Sequence, residues 1–396
     1  MLFNYDLLSI IIQAATWVVY AILSVWAIAL AVGCLSALFV TVRRNPKVNS
    51  GIVSVLVAAW NEAGSIESCI DSLKQIEYPH DKMEIIVVGG GTDQTPAICR
   101  SFAERGQIAF IETNERKGKW YDLNRGLSAC KGEVIAFTDG DCKVDREWLG
   151  QLIGGLSDDC DGVIGLVLPS SNSNYIAKGF RVLLPPIGVG ASIVSKTTTV
   201  PFFSGYSSAF KRHVFSVLKF EPSLIEDVVF TQKARREFKF QFNPSANSYH
   251  DFAADTAEFY KEVSRWIAGY FTEVRQSHSV GLTCVGATLV AMPIVSVLFL
   301  VDLLRGDYGL LAMLGLVAML GFSYCTISLA RCKRLGEIIH FPYAILLVAV
   351  LGILSNAAVA SNLLHGKTDW QLVEKARTTE VGPNLKKESR QKEIAL

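Results

Sequence analysis

Asp139 and Asp141 flank a single glycine at the end of an apolar run, Val134-Ile135-Ala136-Phe137-Thr138. A run rich in β-branched and aromatic residues reads as a buried strand. At its mouth both carboxylates can face outward, and Gly140 lets the backbone turn between them. Two hard oxygen ligands in that setting suit Mg²⁺ or Mn²⁺, ions that share their coordination with water and substrate phosphates. The plainer reading is a strand-end turn with two solvated aspartates, because Asp-Gly is ordinary turn chemistry.

The surrounding pattern alternates strands and helices. Apolar strands are expected at 52–58, 84–88, 108–111 and 133–138, and helices at 62–76, 96–105 and 120–130. In the first helix Ile66, Cys69, Ile70, Leu73 and Ile76 recur at helical spacing. This alternation predicts an α/β fold with a mostly parallel sheet covered on both faces. Ligands of such sheets bind beyond the carboxyl ends of the strands, where Asp139 and Asp141 fall. Residues 142–275 are less regular. The apolar stretch 180–193 contains two adjacent prolines, which argue against a straight core helix. Residues 256–275 mix aromatics with charge and read either as a helix at a membrane surface or as a half-buried one.

Half of the 396 residues are hydrophobic, which points to membrane segments. Residues 7–42 carry no charge, well beyond the ~20 residues that cross a bilayer. Neither a basic region before this stretch nor a small-residue cleavage site is evident, so it reads as an anchor. Arg43, Arg44 and Lys47 follow it, which predicts a cytoplasmic domain after the helix. Three further apolar blocks, 279–301, 308–330 and 341–364, are each long enough to span. The expected organisation is an N-terminal helix (1–42), a cytoplasmic domain (43–275), a C-terminal membrane region of about three helices (276–366) and a polar tail (367–396). Three spans after a cytoplasmic domain would leave the tail outside. Its seven Lys and Arg favour the cytoplasm instead, so one block is a candidate for a re-entrant or interfacial placement. A net charge of +1 gives no whole-chain case for nucleic-acid binding. Nine cysteines without a CxxC pair indicate neither a disulfide framework nor a zinc site.

Several short motifs surround Asp139-Gly140-Asp141: Val53 to Glu62 (VSVLVAAWNE), Lys117-Gly118-Lys119 through Leu123-Asn124, Phe202-Phe203-Ser204-Gly205, Ile225-Glu226-Asp227, and Glu262-Val263-Ser264-Arg265-Trp266. In this order, over about residues 52–270, they resemble a family 2 glycosyltransferase of the GT-A fold. The resemblance is to the membrane-integrated branch that includes cellulose, chitin and hyaluronan synthases. Ala58 stands where that family's P-x-x-N-E has proline, and Glu262 where Q-x-x-R-W has glutamine. The resemblance implies donor contacts at Ala58, Asn61, Glu62, Lys119, Asp139 and Arg265, and metal binding at Asp139 and Asp141. It implies a general base at Asp227 beside Glu226, and acceptor contacts at Phe203, Ser204, Gly205 and Trp266. Taken alone, Glu226-Asp227 reads as the acidic start of a helix. Where the family carries Asp-Asp-Gly after its second strand, this chain has Gly89-Gly90-Gly91-Thr92-Asp93. Gly89 and Gly90 would let backbone groups approach the nucleotide, with Asp93 either as the later aspartate of that motif or as a substitute for a lost one.

The implied reaction moves a hexose or N-acetylhexosamine from a UDP- or GDP-sugar, with Mg²⁺ or Mn²⁺, inverting the anomeric centre. His250 is either a structural histidine or an extra metal ligand. The acceptor is a growing polysaccharide, mildly favoured by F-F-x-G and R-W, or a polyprenyl phosphate or glycolipid that receives one sugar. A homo-oligomer could supply further helices for a polymer channel. The rival from another class is a non-catalytic membrane scaffold that lost donor binding at Gly89-Gly90.

Overall fold

The computed structural model describes residues 5–40, 46–49, 51–196, 205–223, 225–277 and 308–365. The expected apolar block 279–301 and the polar tail lie outside these residues.

The catalytic-side strands form where the apolar runs predicted them: β1 (Val53–Trp60), β2 (Met83–Gly90), β3 (Ala109–Glu112) and β4 (Val134–Asp139). Helices α2 (Ile66–Lys74), α3 (Thr95–Glu104) and α4 (Lys119–Ala129) connect them. Together with β5 (Cys142–Val144), β6 (Gly162–Pro169), β7 (Ser208–Lys211) and β8 (Phe240–His250) they build one eight-stranded sheet, ordered β3-β2-β1-β4-β7-β6-β8-β5. The first four strands in this order are parallel. β7 runs antiparallel to both β4 and β6, while β6 and β8 are parallel. In register, Ala58 of β1 faces Val88 of β2 on one side and Asp139 of β4 on the other. Three parallel strands therefore end at one level.

Both faces are covered, as near-continuous apolar strands require. Val53, Val55 and Val57 meet α2, α3 and the α5 helix (Trp148–Gly155). Leu56 and Phe137 face the other way, into a layer of aromatics. There Phe137 lies 5.9 Å from Phe220, which stacks on Phe230 at 4.7 Å. Such ring pairs are each worth about 0.5–1.5 kcal/mol beyond their buried area. They tie β4 to α8 (Glu226–Ala234), the helix that carries Asp227. A short α7 (Val214–Val217) lies between β7 and α8.

The proline-containing stretch is a continuous helix, α6 (Tyr175–Val194), contrary to the reading from its two prolines. Asn174 caps it, its side-chain oxygen accepting the Ala177 N–H at 2.9 Å. Each interior proline costs about 3 kcal/mol in an isolated helix. Tertiary burial offsets that here, since Val182, Pro185, Pro186 and Val189 are all buried. The α9 helix (Thr256–Ser277) is half-buried through Phe259, Val263 and Ile267.

The N-terminal α1 (Tyr5–Phe39) and the last two helices, α10 (Gly309–Arg331) and α11 (Phe341–His365), are apolar throughout. By length and composition Thr16–Phe39, Tyr175–Val194, Gly309–Arg331 and Leu335–Val359 could each cross a membrane. Between α10 and α11 the chain docks on the domain. Arg181 of α6 holds Glu337 through two hydrogen bonds of 2.9 and 2.6 Å, and Arg334 donates to the Tyr249 hydroxyl at 3.0 Å.

Candidate active site

The ends of β1, β4 and β6, the N-termini of α4 and α8, and one face each of α6 and α9 enclose a cavity of about 800 Å³. Ala58, Glu62, Lys119, Asp139, Asp141, Glu226, Asp227, Arg265 and Trp266 line it together, although they come from stretches up to 208 residues apart.

Lys119 begins α4 after Gly118, whose φ of +99° permits the turn into the helix. Its ammonium sits 2.6 Å from Asp139 and 3.5 Å from Glu226. Burial works against the Lys119 charge, but these carboxylates outweigh it and hold the lysine protonated. Burial, with Asp141 nearby, pushes Asp139 up to about 6 even against the lysine. A side chain at Gly205 would begin 2.9 Å from the Lys119 nitrogen, so glycine there keeps the lysine in place. Phe203 and Ser204 lie outside the described residues. Asn124, five residues after Lys119 in the same helix, clamps the backbone of Phe220 by donating to its carbonyl at 2.8 Å and accepting its N–H at 3.1 Å. That clamp fixes the segment leading to α8.

Asp141 lies 3.2 Å from His250 Nδ1. This ring nitrogen is buried and not aligned for a hydrogen bond. Burial opposes the Asp141 charge, yet the adjacent imidazole holds its carboxyl below the ordinary range. The ring stacks on Tyr206 at 4.8 Å. Donor atoms of Asp141, Cys142 and His250 all lie within 4.8 Å of one another. Burial pushes the Cys142 thiol well up, and it donates to Asp141 Oδ1 at 3.4 Å. A carboxylate oxygen and an imidazole nitrogen that lacks a hydrogen-bond partner suit Mn²⁺. Asp139 is engaged by Lys119 and not by this cluster.

Asp227 sits in the first turn of α8, where it accepts the Val228 N–H at 2.8 Å. Burial and the neighbouring Glu226 raise it to about 6, against Lys119 and Arg265. Glu62 is pushed to about 7 by burial and Asp141.

The triple glycine has a structural cause. Gly89 and Gly91 have φ of +148° and +144°. A Cβ would fall 1.7 Å from the Ala59 carbonyl oxygen at Gly89 and 2.1 Å from that of Thr113 at Gly90. No carboxylate fits at either place. Asp93 is spent on the backbone, accepting the N–H groups of Thr95 at 2.9 Å and Ala63 at 3.0 Å. Asn61, at φ +58°, accepts the Thr92 N–H at 2.7 Å. These five residues buttress the strand ends and are not among the cavity's lining.

Sequence reasoning missed Tyr206, Arg116 and Asp122, all on the cavity wall, and the contribution of Leu184, Ile187 and Gly188 from α6. Tyr206 directly follows the F-F-S-G motif. The α6 residues gave no local signal, since the prolines masked the helix.

The strand order, with carboxylates beyond the strand ends and a lysine-led helix, is that of the GT-A fold. Residues 54–218 match the model of "Glycosyl transferase family 2", and this part of the chain is a domain of that family. A 107-residue stretch is 32% identical to glycosyltransferase AglE of Haloferax volcanii, covering 26% of this chain and 35% of that protein. Over 227 residues the chain is 23% identical to the poly-β-1,6-N-acetyl-D-glucosamine synthase of Staphylococcus aureus, covering 55% of this chain and 54% of the synthase. The chain thus spans about a third to a half of the length of these relatives. Among solved structures, the mannosyltransferase PcManGT of Pyrobaculum calidifontis, in complex with GDP-Man and Mn²⁺, shares the fold. Its TM-score is 0.52 at 20% identity, over 87% of this chain and 99% of that one.

Proposed function

We propose that this protein transfers a sugar, with inversion, from a nucleotide diphosphate sugar to a membrane-associated acceptor. The observation that carries this reading is the convergence of Asp227, Arg265, Lys119 and the Asp139/Asp141 pair on one cavity. Asp227 takes the acceptor hydroxyl's proton as that oxygen attacks the anomeric carbon. Arg265 and Lys119 meet the negative charge that builds on the leaving diphosphate. Glu226 holds Lys119 on its acceptor-facing side. Asp141 and His250 would hold Mg²⁺ or Mn²⁺, with Asp139 joining once Lys119 turns to the donor. The metal, when bound, neutralises diphosphate charge. Trp266 offers an aromatic face to the acceptor. Arg331, Lys333 and Arg334, on the loop docked against the domain, support a cytoplasmic placement of the site in the cell membrane.

For the acceptor, a lipid that receives one sugar is favoured. Leu166, Val167, Leu184 and Ile187 give the cavity an aliphatic wall beside its polar end. Glycans pack on aromatic faces and need polar partners, whereas a prenyl or acyl chain needs such a wall. The likeness to the poly-N-acetylglucosamine synthase supports the polymer as a second reading.

The test is transfer by purified, detergent-solubilised protein offered a panel of UDP- and GDP-sugars, GDP-mannose first, with Mn²⁺. Nucleoside diphosphate release that disappears in Asp141→Ala and Asp227→Asn is expected, and product size chooses glycolipid or polymer. Silence across the panel without metal-dependent nucleotide binding would reject the enzyme in favour of the scaffold.

A further inference from the structure

We propose that α11 does not cross the membrane. It lies in the interface on the catalytic side, joining α6 and α9 in a platform whose partner is the lipid surface. This inference does not depend on the catalytic reading.

Two helices long and apolar enough to cross set the frame. α1 and α10 pack in parallel: Val19 and Leu23 cluster with Leu310, and further along Cys34 reaches the Leu320 carbonyl while Gly33 lies against Tyr324. Both run toward the domain. α10 is followed at once by Arg334 and Glu337, which are bound to Tyr249 and Arg181, so α11 begins at Phe341 beside the domain.

From Phe341, a helix rising ~1.5 Å per residue reaches Val359 after roughly 27 Å. A spanning helix would by then be near the opposite edge of a core ~30 Å thick. Instead Ala358 and Val359 share one buried cluster with Phe259, Val263 and Ile267 of α9, and with Ala253 and Ile176 of the domain. Near its start, Leu347 and the Tyr343 backbone lie against Gly179 of α6. Both supports belong to the domain: α6, although long and apolar enough to cross, is 61% buried in it. α9 carries Glu258, Lys261, Glu262, Arg265, Glu273 and Arg275. α6 presents Leu184, Ile187 and Gly188 to the catalytic cavity. The domain therefore underlies α11 along most of its length.

The opposite face of α11 is apolar and open: Ile345, Leu346, Val348 and Ile353 are 46–67% exposed. No charged residue occurs from Phe341 to His365. The face is continuous with α10 through the Phe322–Phe341 ring contact at 4.7 Å, and α10 exposes Met319 and Phe322. That continuity makes the bilayer its occupant. It also leaves the polar tail, with its seven Lys and Arg, on the catalytic side, where positive charge is favoured.

Sealed, oriented membrane vesicles bearing the full chain with a C-terminal epitope tag test this. Protease that reaches the catalytic domain is expected to remove the tag as well. A tag that survives while the domain is digested would overturn the proposal. Spin labels at Ile345→Cys and Ile353→Cys, with Cys34, Cys284 and Cys332 replaced by alanine, give a second readout. Equal, shallow depths in lipid are expected. A depth difference near the ~12 Å of helix rise between them, or shielding of both labels from lipid by another protein copy, would refute it.

Discussion

Replacing Gly89 by alanine would set a methyl carbon 1.7 Å from the Ala59 carbonyl oxygen, on a backbone whose φ is +148°. Two costs add. A non-glycine residue at positive φ costs about 1.5 kcal/mol. Relieving the overlap requires β1 and β2 to part, at about 2.5 kcal/mol by the usual cost of overpacking. At roughly 3 °C per kcal/mol for a domain of this size, the total of about 4 kcal/mol lowers the apparent melting temperature by about 12 °C. The chain holds its own controls. Gly106 has φ +69° with nothing within 4 Å of a new Cβ, so Gly106→Ala carries only the backbone cost. That is about 4 °C by the same conversion. Gly64 has neither strain nor a neighbour, and Gly64→Ala should melt within about 1 °C of the parent. Thermal unfolding of the three variants in one detergent, at one scan rate, measures all of this. Equal melting of Gly89→Ala and Gly106→Ala would refute the close approach of the strand ends, and with it the structural account of the triple glycine.

Other outcomes follow from the site. Asp227 is a base only when deprotonated, and its carboxyl is raised to about 6, so transfer should plateau above pH 7 and fall about tenfold per unit below 6. A profile flat down to pH 5 would remove it from that role. Cys142→Ser should retain Mn²⁺-dependent nucleotide binding, because a hydroxyl can donate to Asp141 as the thiol does at 3.4 Å, whereas Asp141→Ala should weaken that binding at least tenfold by calorimetry. Equal losses would contradict the division between ligand and bystander. Ile187→Asp places a charge on the aliphatic wall and should abolish transfer to a lipid acceptor while slow donor hydrolysis continues. Unchanged lipid transfer would count against the wall.

The parallel half of the sheet was legible because its strands are buried on both faces and so read as apolar runs. Val53 to Val57 and Val134 to Phe137 needed no tertiary information. The α6 helix was not legible, because the proline rule describes an isolated helix while Pro185 and Pro186 are buried and the Pro186 carbonyl accepts from the Tyr324 hydroxyl, 138 residues away. Lys119, Asp139, Asp227 and Arg265 converge as their motif order implied. Gly89 and Gly90 were read as an opening toward a nucleotide, yet their absent side chains serve the contact between β1, β2 and Thr113. Asp93 looked like a replacement carboxylate and is a turn cap. Such assignments depend on where a neighbouring carbonyl stands, which no spacing along the chain records.

The anchorage of Arg334 on Tyr249 changes how this protein must be handled. Tyr249 immediately precedes His250, and its hydroxyl donates to Asp145 at 3.3 Å, which also accepts from Asn247 at 2.9 Å. A tether from the membrane helices thus ends one residue from the imidazole beside Asp141. Cutting the chain after α9 to obtain a soluble fragment would strip both Arg334 and Glu337, leaving the Arg181 guanidinium without its carboxylate. The strand edge under His250 would lose its outer brace. Solubility would be gained by loosening the edge of the proposed metal site, and a fragment's inactivity would report the missing brace and not the absence of a catalyst.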